Sequence, residues 1–229
     1  GRKMTLSRRL KAIADKTPAS DVVADIGTDH GYIPVYLIKK NIAQLVIASD
    51  ISEASLAKAQ KLISREGLQN KIVTRVGDGI SILKPCEADT VIIAGMGGLV
   101  IENILKNNQD IADSIDTFIL QPMSSQDKLR YYLLNNGYNI LDEQLVLDEE
   151  KFYEIIVARH GELKNIQDID YEIGYRLIEN EDPLLGEFLK YKMGKMQKII
   201  DSLNRQNTCN ARKRLIELNN KMERYMEVY

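Results

Sequence analysis

Short, largely apolar runs recur five times in the first 120 residues, and four of them end in glycine or a carboxylate. DVVADI at 21–26, LVIAS at 45–49, KIVTRV at 71–76, DTVIIA at 89–94 and DTFIL at 116–120 read as short buried strands. Helical sequence separates them, over 32–40, 54–66, from the glycines at 95–98 to Lys106, and 125–136, with Gly67 and Gly137 as stop signals. Strands that alternate with helices bury both faces only as a parallel sheet with helices on each side. Two more strand-like pieces, 138–147 and 152–159, are separated only by Asp148, Glu149 and Glu150, so they form an antiparallel hairpin at one edge. The expected class is α/β, a Rossmann-like parallel sheet with a terminal antiparallel hairpin.

Both ends of the chain are helical. Leu6, Leu10, Ile13 and Ala14 make one stripe of an amphipathic helix over 6–16, stopped near Pro18. After Asp168 the pattern is helical throughout. Leu189, Met193, Met196, Ile200 and Leu203 step by heptad intervals, as do Leu215, Leu218, Met222 and Tyr225. Two helices of about 17 residues, joined by the polar segment 204–210, are expected to fold back as an antiparallel coiled coil within a monomer; a parallel dimer through either seam competes with this. The division expected is a sheet domain over 1–165 and a small helical domain over 166–229.

In open α/β sheets, ligands bind beyond the carboxyl ends of the strands. The first strand here ends in Asp25, Gly27, Thr28, Asp29, His30 and Gly31, and the second in Asp50 and Ile51. The third ends in Gly77, Asp78 and Gly79, and the fourth in Ala94, Gly95, Met96, Gly97 and Gly98. Asp50 follows Asp25 at about the interval at which a carboxylate meets ribose hydroxyls. Asp78 suits the exocyclic amine of an adenine. Gly27 lets main chain pass close to a ligand, and Gly31 permits tight helix-on-strand packing. Asp29 stands where dinucleotide binders have glycine; its charge opposes a pyrophosphate and suits an ammonium and a sulfonium. S-adenosylmethionine therefore fits better than a nicotinamide dinucleotide.

Composition excludes other classes. The two cysteines and two histidines lack metal-ligand spacing, so neither a metal site nor a disulfide framework is expected. No run approaches the roughly 20 apolar residues of a membrane helix, and no signal peptide is read at the start, so the expected location is the cytoplasm. Charge is segregated: 188–229 carries ten Lys/Arg and four Asp/Glu, and the first eleven residues carry Arg2, Lys3, Arg8, Arg9 and Lys11 with no acid. Two basic ends around an acidic middle suit a polyanionic partner, although a solvated lysine-rich helix face gives the same count.

ADIGTDHGYIP at 24–34, GDG at 77–79 and AGMGG at 94–98 together resemble the bacterial tRNA (adenine-22-N1)-methyltransferases. The resemblance extends to LSRRLKAIA near the amino terminus, to Gln121, Pro122 and Met123, and to the carboxy-terminal helices. Gly31 stands where that family often has alanine. The resemblance implies a class I S-adenosylmethionine-dependent fold and methylation of adenine N1 in the D-arm of tRNA. The strand-tip residues would hold the cofactor. Arg8, Arg9, His30, Tyr32, Gly97, Gly98, Gln121 and Met123 would meet the substrate, with the lysines and arginines of the last two helices gripping a distant part of the tRNA.

Adenine N1 already carries a lone pair, so the chemistry needs alignment more than a base. N1 also lies on the Watson–Crick edge, so the target must be unpaired or extruded. Asp29 is the candidate for stabilising the charge that develops on the base; a role limited to the cofactor or to capping the next helix is the alternative. His30 is read either as a base or cofactor contact or as a packed residue, and Met96 either as a wall of the base pocket or as core. A catalytically idle RNA-binding scaffold and a small-molecule methyltransferase are the competing functions.

Overall fold

The computed structural model describes residues 4–229, so Arg2 and Lys3 of the basic amino-terminal cluster lie outside the described residues. Seven strands form one sheet: β1 (Ser20–Ile26), β2 (Ala43–Asp50), β3 (Ile72–Val76), β4 (Thr90–Met96), β5 (Thr117–Pro122), β6 (Tyr138–Asp148) and β7 (Lys151–His160). Their order is β3-β2-β1-β4-β5-β7-β6. The first five run parallel, whereas β7 lies antiparallel to both β5 and β6. The expected hairpin is present, with its returning strand inserted between β5 and the edge. The chain winds outward from β1 to β3 and then restarts at β4 beside β1, which opens a crevice at the β1 and β4 tips.

Helices α1 (Arg8–Asp15), α2 (Tyr32–Lys39) and α3 (Glu53–Arg65) cover one face. Their Ile13, Leu37 and Leu62 share a core with Val23, Val46, Ile92 and Ile119. On the opposite face lie α4 (Gly98–Asn107), α5 (Gln109–Asp113) and α6 (Gln126–Asn135), whose Ile101, Leu105 and Leu133 pack with Ala24, Ile47, Val91 and Phe118. Successive residues of one strand thus serve opposite cores, which is why these strands read as continuous apolar runs.

Several boundaries differ from expectation. Helix α1 starts at Arg8 rather than Leu6, because the Ser7 hydroxyl caps it by accepting from the Leu10 amide at 3.2 Å. A 3₁₀ turn over Gly79–Ile82 and the short helix α5 arise where no periodic pattern announced them. The region after Asp168 is not one unbroken helical run: a π-helical turn, Asp170–Gly174, precedes α7 (Tyr175–Glu179). Gly174 is required there, since a Cβ would stand 2.8 Å from Glu143 Oε1 and 2.9 Å from Arg130 Nη2 at a φ of +105°. The final helices, α8 (Leu185–Asn204) and α9 (Cys209–Val228), are 20 residues each rather than 17. They pack on one another through the anticipated seams, in one apolar cluster holding Leu189, Met196, Ile200, Leu218 and Tyr225.

A buried ionic cluster ties this helical region to the sheet. Arg130 of α6 donates through Nε to Glu143 at 2.7 Å and through Nη2 to Glu154 at 2.8 Å. Its third nitrogen, Nη1, reaches the Tyr171 carbonyl at 3.1 Å, and the Arg176 amide donates to Glu143 at 3.0 Å. Burial opposes the Arg130 charge, and the two carboxylates overcome that cost. No helix of the described residues is long and apolar enough to cross a membrane.

Candidate active site

The tips of β1, β2 and β4 converge on a cavity of about 350 Å³. Asp25, Gly27, Thr28, Asp29, His30, Tyr32, Asp50, Ala94 and Gly95 line it, together with Arg9, Leu10 and Ile33. Three carboxylates from two strand tips therefore face one space. Each is placed by main chain. Parallel pairing of Ile26 with Ser49 brings the two tips level, and the Gly27 and Thr28 amides both donate to the Ser49 carbonyl, at 2.9 and 2.8 Å. Asp50 then accepts from the Asp29 amide and the Ser52 amide, each at 3.1 Å.

Asp25 is fully enclosed. Burial pushes its carboxyl up to about 7, against the pull of the Thr28 hydroxyl and with the help of the nearby Asp50 charge. Asp29 adopts a left-handed φ of +53°, which aspartate reaches more readily than most side chains, and holds His30 Nδ1 at 2.9 Å. His30 in turn stacks on Tyr32, with ring centroids 5.3 Å apart and planes within 5°. His30 is thus a surface-facing partner of Asp29 rather than a core residue.

The β4 tip is irregular. Register between β4 and β5 shifts between Ala94 and Met96, so Gly95 drops out of the ladder at a φ of +75°. Its amide is instead taken by the Gln121 side-chain oxygen at 3.1 Å, and the same oxygen accepts from Arg9 Nη1 at 2.8 Å. Gln121, expected at the substrate, is completely buried and serves as this internal bridge.

Other expected residues lie outside the cavity lining. Ile51 sits beside it and is 72% exposed, an unusual place for an isoleucine. Asp78 is exposed at the β3 tip, next to Gly77, whose amide donates to the Asp50 carbonyl at 3.0 Å. Gly79 opens the 3₁₀ turn. Gly31 faces Ala59 of α3 at 3.0 Å, so its small size serves helix-on-helix packing, not the helix-on-strand contact expected. Met96 packs under the turn, its Cε only 2.6 Å from where a Gly27 Cβ would be. Gly97 caps α4, and a Cβ on Gly98 would strike the Ser125 carbonyl at 2.4 Å, so Gly98 closes β4 against the loop after β5.

Arg8 and Arg9 part company. Arg8 is exposed and borders a separate hollow between α1 and β6, with Lys11 and Lys16. A larger cleft of about 540 Å³ lies between the β5 tip and the helical hairpin, bordered by Met123, Tyr153, Tyr191, Lys192, Lys195 and Arg214 among others. Lys198, Arg212 and Lys213 do not border it. Sequence had grouped these basic residues together; helix phase separates them. Among the described residues, no group of three or more His, Cys, Asp or Glu is arranged to hold a metal ion.

Residues 6–156 match the methyltransferase domain family. Over 159 residues, 69% of this chain and 67% of the relative, the chain is 36% identical to a Bacillus subtilis protein named tRNA (adenine(22)-N(1))-methyltransferase. The crystal structure of the B. subtilis M1A22 tRNA methyltransferase TrmK superposes with a TM-score of 0.89 at 30% identity, covering 99% of each chain. M. capricolum TrmK in complex with S-adenosyl-homocysteine superposes with a TM-score of 0.85 at 28% identity, covering 98% of this chain and 97% of that one. With that identity over that span, and with the carboxylate-lined crevice in place, the chain belongs to the tRNA (adenine(22)-N(1))-methyltransferase family.

Proposed function

We propose that this protein transfers a methyl group from S-adenosylmethionine to N1 of adenine 22 in tRNA. The observation that carries the reading is the convergence of Asp25, Asp29 and Asp50 with bare main chain at Gly27 and Gly95 in one cavity of a chain of this family. When bound, S-adenosylmethionine supplies an electrophilic methyl on a cationic sulfur. The residues present suit that ligand. Asp50 would accept from ribose hydroxyls, exposed Ile51 would meet the adenine ring, and Asp78, flanked by Gly77 and Gly79, would accept from its amine. Asp25, Thr28 and Ala94 enclose the cationic end.

Asp29 faces the place where positive charge moves onto the target base, and its carboxylate stabilises that charge. His30 and Tyr32, already stacked, offer a flat surface to an extruded ring. The cleft bordered by Met123, Lys192, Lys195 and Arg214 supports a path for tRNA backbone from the β5 tip to the hairpin. We further read the protein as a cytoplasmic monomer, with 1–165 as the catalytic unit and 166–229 as an antiparallel coiled-coil unit.

The test is incubation with S-adenosylmethionine and unmodified tRNA, followed by mapping of reverse-transcription stops. A new stop at adenine 22, absent from a transcript with guanine at that position, is expected. Absence of any stop at an adenine overturns the reading.

A further inference from the structure

We propose that the cleft between the β5 tip and the helical hairpin seats an unpaired nucleobase of tRNA, a second base beside the one that is methylated, stacked on the ring of Tyr191. This rests on the tRNA reading above and adds a seat for a base to a path for phosphates.

The cleft is not a side chamber of the cofactor cavity. The two share no lining residue. Arg9 stands between them, its Nη1 donating to Gln121 at 2.8 Å and its guanidinium lying over the Tyr153 ring, 5.5 Å from the centroid. A base seated beyond that wall is not the one that meets a methyl donor at the β1 and β4 tips.

A path for phosphates needs cations, and Lys151, Lys192, Lys195 and Arg214 supply them. The cleft also offers flat and apolar groups that phosphates do not need. Tyr191 is 44% exposed and packs against Phe152 with ring centroids 5.4 Å apart, and Met123, 49% exposed, borders the same space. Keeping such groups open to water costs free energy in the free protein, and an exposed aromatic beside cations is what an unstacked base rests on.

The lysines are placed for an exchange. Lys195 Nζ stands over the Tyr191 ring, 4.4 Å from its centroid, and Lys192 Nζ stands over Phe188 at 5.3 Å. A nucleotide offers the Lys195 ammonium a phosphate and the vacated ring face a base in one step. Stacking of a base on an aromatic ring outweighs a cation–π contact open to water, so the swap favours the RNA. An acidic peptide would use the cations and leave the ring unserved.

The test is binding, independent of turnover. Fluorescein-labelled 2′-O-methyl hexauridylate, and an abasic hexamer of the same backbone and charge, are titrated into the full chain as wild type, Tyr191→Phe, Tyr191→Ala and Tyr32→Ala. Wild type is expected to prefer the base-bearing hexamer by roughly 10-fold, the scale of one stacked base. Tyr191→Phe and Tyr32→Ala should keep that preference, and Tyr191→Ala should lose it. In filter binding, Tyr191→Ala should weaken tRNA about 10-fold with the wild-type salt slope, because no phosphate contact is lost. Equal affinity of wild type for the two hexamers would mean that the cleft attracts charge alone. A preference that survives Tyr191→Ala and vanishes with Tyr32→Ala would put the base at the cofactor cavity. A reduced salt slope in Tyr191→Ala would mean that the ring only props Lys195. Each of these overturns the proposal and leaves the methyltransferase reading standing, whereas a failed reverse-transcription assay overturns that reading and leaves the hexamer results as they are.

Discussion

Two places in this molecule gather carboxylates, and they treat them in opposite ways. At the junction of sheet and helical hairpin, Glu143 and Glu154 are buried against Arg130, and every oxygen–nitrogen contact in the cluster closes within the protein. At the β1 and β2 tips, Asp25 is equally buried, but its neighbours are a hydroxyl and a second carboxylate. The first arrangement is complete. The second is electrostatically unfinished and is relieved either by a proton or by a cation brought from outside. Paired buried charge here fastens parts together; unpaired buried charge marks where a ligand belongs.

The most severe way to break this contrast is Arg130→Ala, which turns the completed cluster into two uncompensated buried carboxylates. Breaking a buried pair this way costs about 3–5 kcal/mol, and at roughly 2–4 °C per kcal/mol for a chain of this size the melting temperature should fall by about 6–20 °C. Replacing Arg130, Glu143 and Glu154 together by apolar residues of similar volume should recover most of that loss. Calorimetric melting of both variants decides it; equal losses in the two would show that uncompensated carboxylate charge is not what destabilises Arg130→Ala.

The unfinished site should behave the other way with pH. The folded Asp25 carboxyl titrates at about 7, above its ordinary 3.8. The native state therefore holds a proton that the unfolded chain has lost between those values, and stability declines as pH rises from about 4 to 7, by about 4 kcal/mol at most. Asp25→Asn, a mimic of the protonated form, should flatten that slope and be the more stable protein at pH 8. A cationic ligand favours the ionised carboxyl, so S-adenosylmethionine affinity should rise through pH 7 in the wild type and stay level in the variant. Urea melts and calorimetry across pH 5–8 measure both; a wild-type slope unchanged by the substitution would acquit Asp25.

The same contrast explains what could be read in advance. The strand tips were legible because four apolar runs each end in residues that a solvent-facing turn does not need, and Asp25 and Asp50 do meet in one cavity with Asp29. The junction was not legible. Arg130 lies inside an ordinary amphipathic helix, where a charged residue reads as solvated, and Glu143 and Glu154 lie on strands whose alternation gives no sign of a shared partner. The π-helical turn and α7 were missed because their stability comes from contact with that hidden cluster, through Gly174 and Arg176, and not from local periodicity. Arg8 and Arg9 looked equivalent in the sequence, and only the placement of α1 against β6 and the β5 tip separates them.

A smaller effect sharpens the difference between the cleft and the outside of the hairpin. Lys192→Gln with Lys195→Gln removes two cations that border the cleft, where they already lie over the Phe188 and Tyr191 rings at 5.3 and 4.4 Å. Affinity for tRNA should fall about 10-fold near 0.1 M salt, with the salt slope reduced by about two. Lys198→Gln with Lys213→Gln removes the same charge away from the cleft and should do less. Equal effects from the two pairs would mean that the hairpin offers only a diffuse basic field.

The smallest change asks whether the two regions are energetically separate. Helix α9 starts at a cap in which the Thr208 hydroxyl accepts from the Ala211 amide at 3.0 Å. Thr208→Ala removes that bond at a cost of about 1 kcal/mol. Because no residue of α8 or α9 lines the cofactor cavity, the cost should stay local. Amide exchange in the first turn of α9 should quicken about fivefold, as expected when opening becomes easier by that amount, while S-adenosylhomocysteine affinity stays at the wild-type value. If the affinity falls as well, the Arg130 cluster transmits strain from the hairpin to the strand tips, and the closed and open sites must then be treated as one coupled unit.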